Sequence, residues 1–203
     1  MKNKNLGVKK MGREKLIKNL NKIGNTFIGL GIFVGLISLF MTLIFITDGF
    51  SIPLLIFLGL LVLAIILIVK GVDNKKGENS KFVKKYPNVL ELADSLDNPV
   101  FENDFIIISD KAIADKKKYC NIVALNDVLA IYEHITRTNG IVTAHTIQLS
   151  SIDGRDIQIN VYARKRDTKD DLLLTISNYC PNAKVGFTPE TMAYVNEKRK
   201  NKQ

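Results

Sequence analysis

The sequence has little of the residue types that carry most enzymatic and metal-binding chemistry. Its 203 residues include two cysteines and two histidines, and tryptophan is absent. Charge is also scarce in one long stretch, because Asp48 is the only charged residue between Asn25 and Lys70. The cysteine count excludes a disulfide-stapled secreted mini-protein, and the hydrophobic content of 46% excludes a disordered chain. The uncharged stretch excludes a simple soluble globule.

The formal net charge of +9 is distributed unevenly along the chain. Residues 1–25 carry +7, residues 26–70 carry no net charge, and residues 71–203 carry +2. A nucleic-acid-binding protein concentrates cations on its folded domain, where they neutralise phosphates. Here the cations lie beside the uncharged stretch, a distribution typical of charges that orient membrane helices. We therefore expect no nucleic-acid partner.

Two uncharged segments are each long enough to cross a bilayer as a helix. Ile23–Thr47 has 25 residues and Gly49–Val69 has 21, whereas about 20 helical residues span the hydrocarbon core. The short connection between them holds an aspartate, a glycine and a proline, which favour a turn. A signal peptide is the alternative for the first segment, but the charged region before it is long and no small-residue cleavage site precedes Asp48. The sequence predicts a two-helix transmembrane hairpin at residues 26–70.

Cations flank both outer ends of this hairpin and are absent from its loop. Residues 1–25 precede it, and six lysines follow closely: Lys70, Lys75, Lys76, Lys81, Lys84 and Lys85. Because cytoplasmic flanks are enriched in lysine and arginine, we expect a multi-pass cell-membrane protein with both termini cytoplasmic and the lipid bilayer as a partner. Cytoplasmic thiols stay reduced, so Cys120 and Cys180 are expected to be free.

Small residues form a stripe along the first predicted span. Gly31 and Gly35 make a GxxxG motif, and Ser38 and Thr42 continue it at helical spacing. Such stripes allow close helix–helix contact. The sequence leaves open whether the contact lies within the hairpin or in a homo-oligomer.

The remaining chain predicts an α+β cytoplasmic domain. We expect a basic cytoplasmic segment at residues 1–25, a polar linker at 71–80, the domain at 81–187, and a short helix with a charged tail at 188–203. The domain would begin with a helix over Lys84–Asn98, because apolar residues recur there at helical spacing from Val89 to Leu96.

Short β-branched runs then predict an antiparallel meander closed by a helix. The predicted strands are Phe105–Ser109, Ala112–Asp115, Cys120–Leu125, Val128–Thr138, Ile141–Ser151 and Ile157–Ala163. Asn139-Gly140 predicts a two-residue hairpin turn. Thr168 is expected to cap the following helix, whose apolar face includes Leu172 and Cys180, and a last short helix is expected to start at Thr188-Pro189.

This pattern resembles bacterial pleckstrin-homology-like (PH-like) domains tethered to membrane hairpins, over residues 100–181. The resemblance lies in the Phe105–Lys111 opening, the Ile122–Ile131 segment, the Asn139-Gly140 hairpin and the Leu172–Cys180 helix. It implies a PH-like β-barrel plugged by the C-terminal helix, and non-catalytic binding or scaffolding at the membrane. PH-like domains that hold phosphoinositides carry a dense basic cluster at one loop mouth, and this nearly neutral domain departs from that pattern.

Two short cationic runs are candidate contacts for lipid headgroups. They are Lys116, Lys117 and Lys118 between two strands, and Arg164, Lys165 and Arg166 before the helix. A cationic mouth would attract anionic headgroups. The alternative, favoured by the aspartates nearby in sequence, is two solvated loops that protect strand edges from aggregation.

The two histidines would face each other if the hairpin had a regular register. A two-residue loop at Asn139-Gly140 pairs residues whose numbers add up to 279, which places His134 opposite His145. Such a pair could share a metal or respond to pH. No further ligand is evident, and a one-residue register shift would separate the two imidazoles. We expect a polar pair, with no metal and no cofactor.

No nucleophile elbow, phosphate-binding glycine loop or metal-ligand motif is present, so we expect no enzymatic activity. The leading hypothesis is a membrane-anchored binding or scaffold module that presents its PH-like domain to a protein partner or to the membrane surface. The alternative is an accessory or regulatory subunit of a transport, secretion or immunity complex, assembled through the hairpin.

Overall fold

The computed structural model describes residues 11–47, 52–161 and 166–202. They form two compact units. The helical unit is Glu14–Asn88, and the sheet unit combines Val89–Gln203 with the described residues of Met1–Arg13.

The helical unit contains two long helices, α1 (Met11–Thr47) and α2 (Ile52–Asn74). Each has the length and apolar composition that a membrane span requires. Only 17% of the most apolar stretch of α1 and 11% of that of α2 is buried. Soluble core helices bury such stretches, so these helices differ from a buried hairpin in a soluble core.

The segment expected to be a polar linker is largely ordered. Helix α2 continues to Asn74, a 3₁₀ turn covers Gly77–Asn79, and α3 covers Lys81–Lys85. The Ser80 side chain accepts a hydrogen bond from the Val83 amide, and the Asp73 carboxylate accepts one from the Lys81 amide at 2.9 Å. These side chains satisfy amides at the start of α3 that have no partner within the helix, so the short helix is held in place.

The single helix expected over Lys84–Asn98 is wrong, because the structure breaks it at Pro87. Helix α3 ends before the proline, and α4 (Val89–Ser95) begins after it. Tyr86 has φ −124° and ψ 73°, outside the helical region. Proline disfavours helical backbone in the preceding residue and has no amide hydrogen to donate.

The sheet unit contains two four-stranded sheets. The first follows the order β1-β2-β3-β4 and is antiparallel. Its strands are β1 (Phe101–Glu102), β2 (Ile106–Ile108), β3 (Ala112–Asp115) and β4 (Ile122–Ala124). The second has the order β7-β6-β5-β8. Its strands are β5 (Val128–Thr138), β6 (Ile141–Ser151), β7 (Asp156–Asn160) and β8 (Lys184–Val185).

The described strands do not close into the expected barrel. A 3₁₀ turn at Leu125–Asp127 separates β4 from β5, and these two strands are not hydrogen-bonded neighbours. Strand β8 pairs with β5 in parallel, which a pure antiparallel meander would not contain. The two-residue strands β1 and β8 were not predicted, because two residues are too few to show an alternating pattern.

One apolar core joins both sheets to the helix α5 (Arg166–Tyr179). The core contains Ile106 and Ile113 from the first sheet, Ile131 and Leu149 from the second, and Ile176 from α5. Helix α5 begins at Arg166, so Thr168 lies inside the helix and the predicted cap at that residue is wrong. The side chains of residues 166–169 are outside the described part of the chain.

The last helix, α6 (Pro189–Lys200), covers the outer face of the second sheet. The Thr188 side chain accepts a hydrogen bond from the Thr191 amide, which confirms the predicted start of this helix. Val195 is buried with Leu129 and Tyr132 of β5. Strand β5 is therefore covered on both faces over Leu129–Tyr132, by the common core and by α6.

Candidate functional site

The interface between α1 and α2 is built from glycines. A Cβ on Gly31 would lie 2.9 Å from the Ala64 carbonyl oxygen, and one on Gly35 would lie 3.4 Å from the Ala64 Cβ. The Ser38 hydroxyl is buried and donates to the Val34 carbonyl at 2.7 Å. Gly31, Gly35 and Ser38 of the predicted stripe thus lie in or beside the interface within this chain, and Thr42, its fourth member, is also buried. That arrangement is the intrachain alternative of the two that the sequence left open.

Two further glycines make the closest approach of the pair, and the sequence analysis missed both. A Cβ on Gly71 would lie 2.7 Å from the Gly24 carbonyl oxygen and 2.9 Å from the Ile28 amide nitrogen. A seven-residue spacing in the sequence could have identified both glycines. Gly24 lies seven residues before Gly31 on α1, and Gly71 lies seven residues after Ala64 on α2. Gly71 was overlooked because it lies beyond the charged Lys70, in the segment expected to be a linker.

The Lys116–Lys118 run forms the tight turn between β3 and β4. The Asp115 carboxylate accepts hydrogen bonds from the Lys117 and Lys118 amides, at 2.7 and 3.1 Å. The Lys116 ammonium is 2.9 Å from a Glu102 carboxylate oxygen, and this hydrogen bond raises the pKa of Lys116. Local structure therefore accounts for these residues, and their contact with lipid headgroups stays a prediction.

The second cationic run, residues 164–166, lies largely outside the described residues. Arg164 and Lys165 lie outside the described residues, and Arg166 is described only as the first residue of α5. The combined cationic mouth of six residues therefore stays a prediction.

The expected pairing of His134 with His145 is wrong, because a bulge shifts the register of the hairpin. The turn itself is as predicted, with positive φ at both Asn139 (50°) and Gly140 (80°). Residues Thr138 and Ile141 pair as expected, but Thr143 is an extra residue on β6. His145 consequently pairs with Ile135 and His134 with Thr146.

His145 instead contacts an acidic residue that the sequence analysis did not select. Its Nδ1 lies 3.0 Å from a carboxylate oxygen of Glu133, on the neighbouring strand. Among the described residues, no three His, Cys, Asp or Glu side chains are grouped so that they could hold a metal ion. The contact is suited to fixing the ribbon geometry rather than to chemistry.

The outer half of the β5–β6 hairpin is an exposed ribbon with apolar side chains. This segment, residues 134–145, is called the distal ribbon. Strand β7 pairs with β6 from Thr146 onward, and the Val161 amide donates to the His145 carbonyl at 3.0 Å. Strand β8 pairs with β5 only at Ala130 and Ile131. Ile141 is 70% exposed and Val142 is 41% exposed. Within the described chain, the distal ribbon, apart from His145, therefore presents free strand edges and apolar surface together.

The two cysteines are free thiols in the sheet unit. Cys120 is partly buried and Cys180 is buried. Burial raises the pKa of Cys120, and it raises the pKa of Cys180 to about 12. Because the thiolate is the reactive form, neither cysteine is activated as a nucleophile.

Comparison of the chain with protein family models, with curated proteins and with solved structures finds no match.

Proposed function

We propose that this protein is a membrane-anchored, non-catalytic binding module. Helices α1 and α2 cross the bilayer as a hairpin, and both termini lie in the cytoplasm. The sheet unit is a PH-like module that binds a protein partner through the distal ribbon.

The observation that carries the proposal is the exposed apolar surface of both helices. Twenty leucine, isoleucine, valine and phenylalanine side chains on α1 and α2 are between 42% and 77% exposed, whereas Leu16, Leu20 and Leu54 are buried. Exposure of this continuous apolar surface to water costs about 25 cal/mol of free energy per Å². In a bilayer, acyl chains cover the same surface. The helices also satisfy their own backbone hydrogen bonds, which a bilayer requires.

The cytoplasmic orientation is supported by the charges at the two ends of the hairpin. Residues 14–22 and 70–85 contain nine lysines, and the connecting residues 48–51 contain one aspartate and no cation. Short cytoplasmic flanks carry such an excess of lysine. The loop is therefore assigned to the external side.

The PH-like interpretation is supported by the shared core of the sheet unit. Two sheets of mainly antiparallel strands enclose this core, and Leu172 and Ile176 of α5, with Cys180 directly after the helix, complete it. The resemblance implies a barrel plugged by a helix, and the packing of α5 against the core is the feature that supports it. The parallel strand β8 and the separate edges of the two sheets are departures from it.

The distal ribbon is the surface assigned to a protein partner. Free strand edges accept an additional strand, and adjacent apolar side chains give the contact specificity. The Gly31 and Gly35 face of α1 is occupied by α2 of the same chain, so it gives no support to assembly through that face.

Membrane insertion and orientation are tested on the full chain. We expect the protein to stay with the membrane after alkaline carbonate extraction. In a background with Cys120→Ser and Cys180→Ala, an impermeant maleimide should label Ser51→Cys in intact cells. The same reagent should label Gln203→Cys only after permeabilisation. Release by carbonate, or the reverse labelling pattern, would contradict the proposed topology.

Partner binding is tested by a matched pair of surface variants. The double variant I141S/V142S should lose proteins that crosslink to the full chain in membranes, because it removes apolar contacts from the distal ribbon. The control L174S alters a side chain that is 64% exposed elsewhere on the sheet unit. Loss with the control alone, or equal loss with both variants, would argue against the ribbon. Loss caused only by changes in α1 or α2 would favour the accessory-subunit alternative.

A further inference from the structure

One end of the helical unit carries a dense group of lysines, here called the lysine collar. The nine side chains are all exposed and belong to two segments, residues 15–22 and 70–85: Lys15, Lys18, Lys22, Lys70, Lys75, Lys76, Lys81, Lys84 and Lys85. Three acidic residues accompany them, namely Glu14, Asp73 and Glu78. The collar is therefore strongly cationic.

Helix packing brings the two lysine segments to the same end of the unit. Gly24 packs against Gly71, and a Cβ on Gly24 would lie 2.9 Å from the Lys75 Cγ. A Cβ on Gly77 would lie 3.3 Å from the Ile17 Cγ2. The close approach of the glycines thus juxtaposes lysines that are at least 48 residues apart in sequence.

Each segment contains one helix on which three lysines share a face. Lys15, Lys18 and Lys22 are spaced i, i+3 and i+7 on α1, and Leu16 and Leu20 on the other face are buried. The three lysines of α3, Lys81, Lys84 and Lys85, have the same relation to the buried Val83. Burial of the opposite faces holds these lysine faces outward.

The collar begins where the apolar surface of the hairpin ends. Lys22 and Lys70 directly border the uncharged segments, and the Lys70 ammonium lies 5.0 Å from the centroid of the Phe27 ring. At about 1.5 Å per residue, Lys15 is about 10 Å further along α1 than Lys22. That distance slightly exceeds the Debye length of about 8 Å, so Lys22 and Lys70 act most strongly on charges at the membrane surface and Lys15 acts on them more weakly.

We propose that the lysine collar binds the phosphate groups of anionic phospholipids and gathers these lipids around the hairpin. The proposal rests on the proposed membrane insertion of α1 and α2. An ammonium near the surface of an anionic membrane favours an anionic lipid by about fivefold. The collar would thus give the anchor a lipid preference at one end only, because the opposite end has no lysine.

The absence of tryptophan allows a local test in the full chain. F27W places the only indole beside the collar, and F57W places it at the other end of the hairpin, where Phe57 stacks on Phe45 at 5.7 Å. Each variant is reconstituted in mixed phosphatidylcholine and phosphatidylglycerol vesicles in which one lipid is brominated. Bromine quenches only nearby indoles, so the ratio of the two quenching efficiencies reports the local lipid preference.

We expect brominated phosphatidylglycerol to be preferred at F27W by about fivefold or more at low salt, and to show no preference at F57W. Adding K18Q, K22Q and K70Q to F27W should bring the preference toward equality, whereas K18R, K22R and K70R should retain it. Both leaflets have the same composition, so inverted insertion would not change the readout.

Three results would contradict the proposal that the lysine collar binds anionic phospholipids. They are equal quenching by both lipids at F27W, an equal preference at both ends, and a preference that survives the glutamine substitutions. In each case quenching itself still demonstrates insertion, so the anchor proposal stands. If neither lipid quenches either indole, the hairpin is not in the bilayer, and both proposals fail.

Discussion

At the residue scale, the helix pair depends on two glycines that bring backbone against backbone. Gly71 faces the Gly24 carbonyl and the Ile28 amide, and neither group can move without displacing its helix. Gly59 lies on the same helix, α2, but a Cβ there would meet nothing within 4 Å. Substitutions at Gly71 and Gly59 can therefore distinguish the effect of interface packing from the effect of glycine's low helix propensity.

We predict that Gly71→Ala destabilises the helix pair by about 1–3 kcal/mol, the usual cost of overpacking a close contact. Gly59→Ala should be neutral or stabilising, because alanine is the better helix former by about 0.5–1 kcal/mol. Unfolding of the full chain by sodium dodecyl sulfate, followed by far-UV circular dichroism in mild detergent, would measure both. Equal effects of the two substitutions would show that the close contact does not limit stability.

Cys180 gives the sheet unit a dependence on alkaline pH. Its pKa is about 12 in the folded protein, against an ordinary value of 9.0, because its thiol is buried. The stabilisation from the neutral thiol is fully present below pH 9, and it is lost as the pH rises toward 12. Above pH 9 it falls by about 1.4 kcal/mol per pH unit.

We therefore predict that the free energy of unfolding of the wild type falls more steeply from pH 8 to pH 10.5 than that of Cys180→Ala. The substitution also leaves a small cavity, which lowers stability by a constant amount at every pH and does not change the slope. Denaturant unfolding at a series of pH values, in mild detergent, would compare the slopes. Parallel pH profiles would mean that the thiol is accessible to hydroxide in the folded state.

At the scale of elements, α6 is fastened to the β6–β7 turn by one arginine. The Arg199 guanidinium donates hydrogen bonds to the Ser151 carbonyl at 2.9 Å, the Arg155 carbonyl at 3.1 Å and the Asp156 carboxylate at 2.7 Å. A planar guanidinium reaches three acceptors in fixed directions, which a lysine ammonium cannot reproduce at this site.

We predict that Arg199→Ala lowers the unfolding free energy of the sheet unit by about 1–3 kcal/mol, because it removes a charge-assisted bond and leaves two carbonyls without this donor. Arg199→Lys should recover less than half of the loss. The matched control Lys200→Ala changes an exposed neighbour on the same helix and should have little effect. Protection of α6 from trypsin in the full chain would be a second readout, and full rescue by lysine would contradict the geometric argument.

The β5–β6 hairpin shows how far an element can be predicted. Asn and Gly accept positive φ at little cost, so the turn and both strand boundaries follow from local sequence. The bulge at Thr143 does not, because Val142, Thr143 and Ala144 show no break in pattern. Because of this one extra residue, His145 contacts Glu133 and does not lie opposite His134 as the regular register predicts.

At the scale of the whole molecule, exposed apolar side chains occur on both units. Val62 on α2 is 58% exposed and Val185 on β8 is 57% exposed. If the proposed topology is correct, acyl chains surround the first and water surrounds the second. Because Val62 and Val185 have nearly equal exposed fractions, they form a matched pair for testing which solvent surrounds each side chain.

We predict that Val62→Lys impairs membrane insertion of the full chain, because a lysine near the centre of a membrane helix costs about 2.5–3.5 kcal/mol. Val185→Lys should leave insertion and folding unchanged. Carbonate extraction of both variants, with the inserted fraction measured against the wild type, would test this. Normal insertion of Val62→Lys would place α2 outside the bilayer core.

The sequence by itself determined the features that depend on neighbouring residues. Two long uncharged runs predict two long helices, period-two alternation predicts strands, and Asn139-Gly140 predicts a turn. Thr188 likewise marks the start of α6. In each case the physical cause acts over a few residues, through backbone geometry, capping or the period of apolar side chains, so it can be recognised without knowledge of the fold.

Only the tertiary structure decided which distant residues meet. It paired Gly24 with Gly71, placed Glu133 beside His145, arranged the strands in two sheets and added β8 in parallel. These outcomes depend on the packing of whole elements and on one inserted residue in a strand, so no local pattern encodes them.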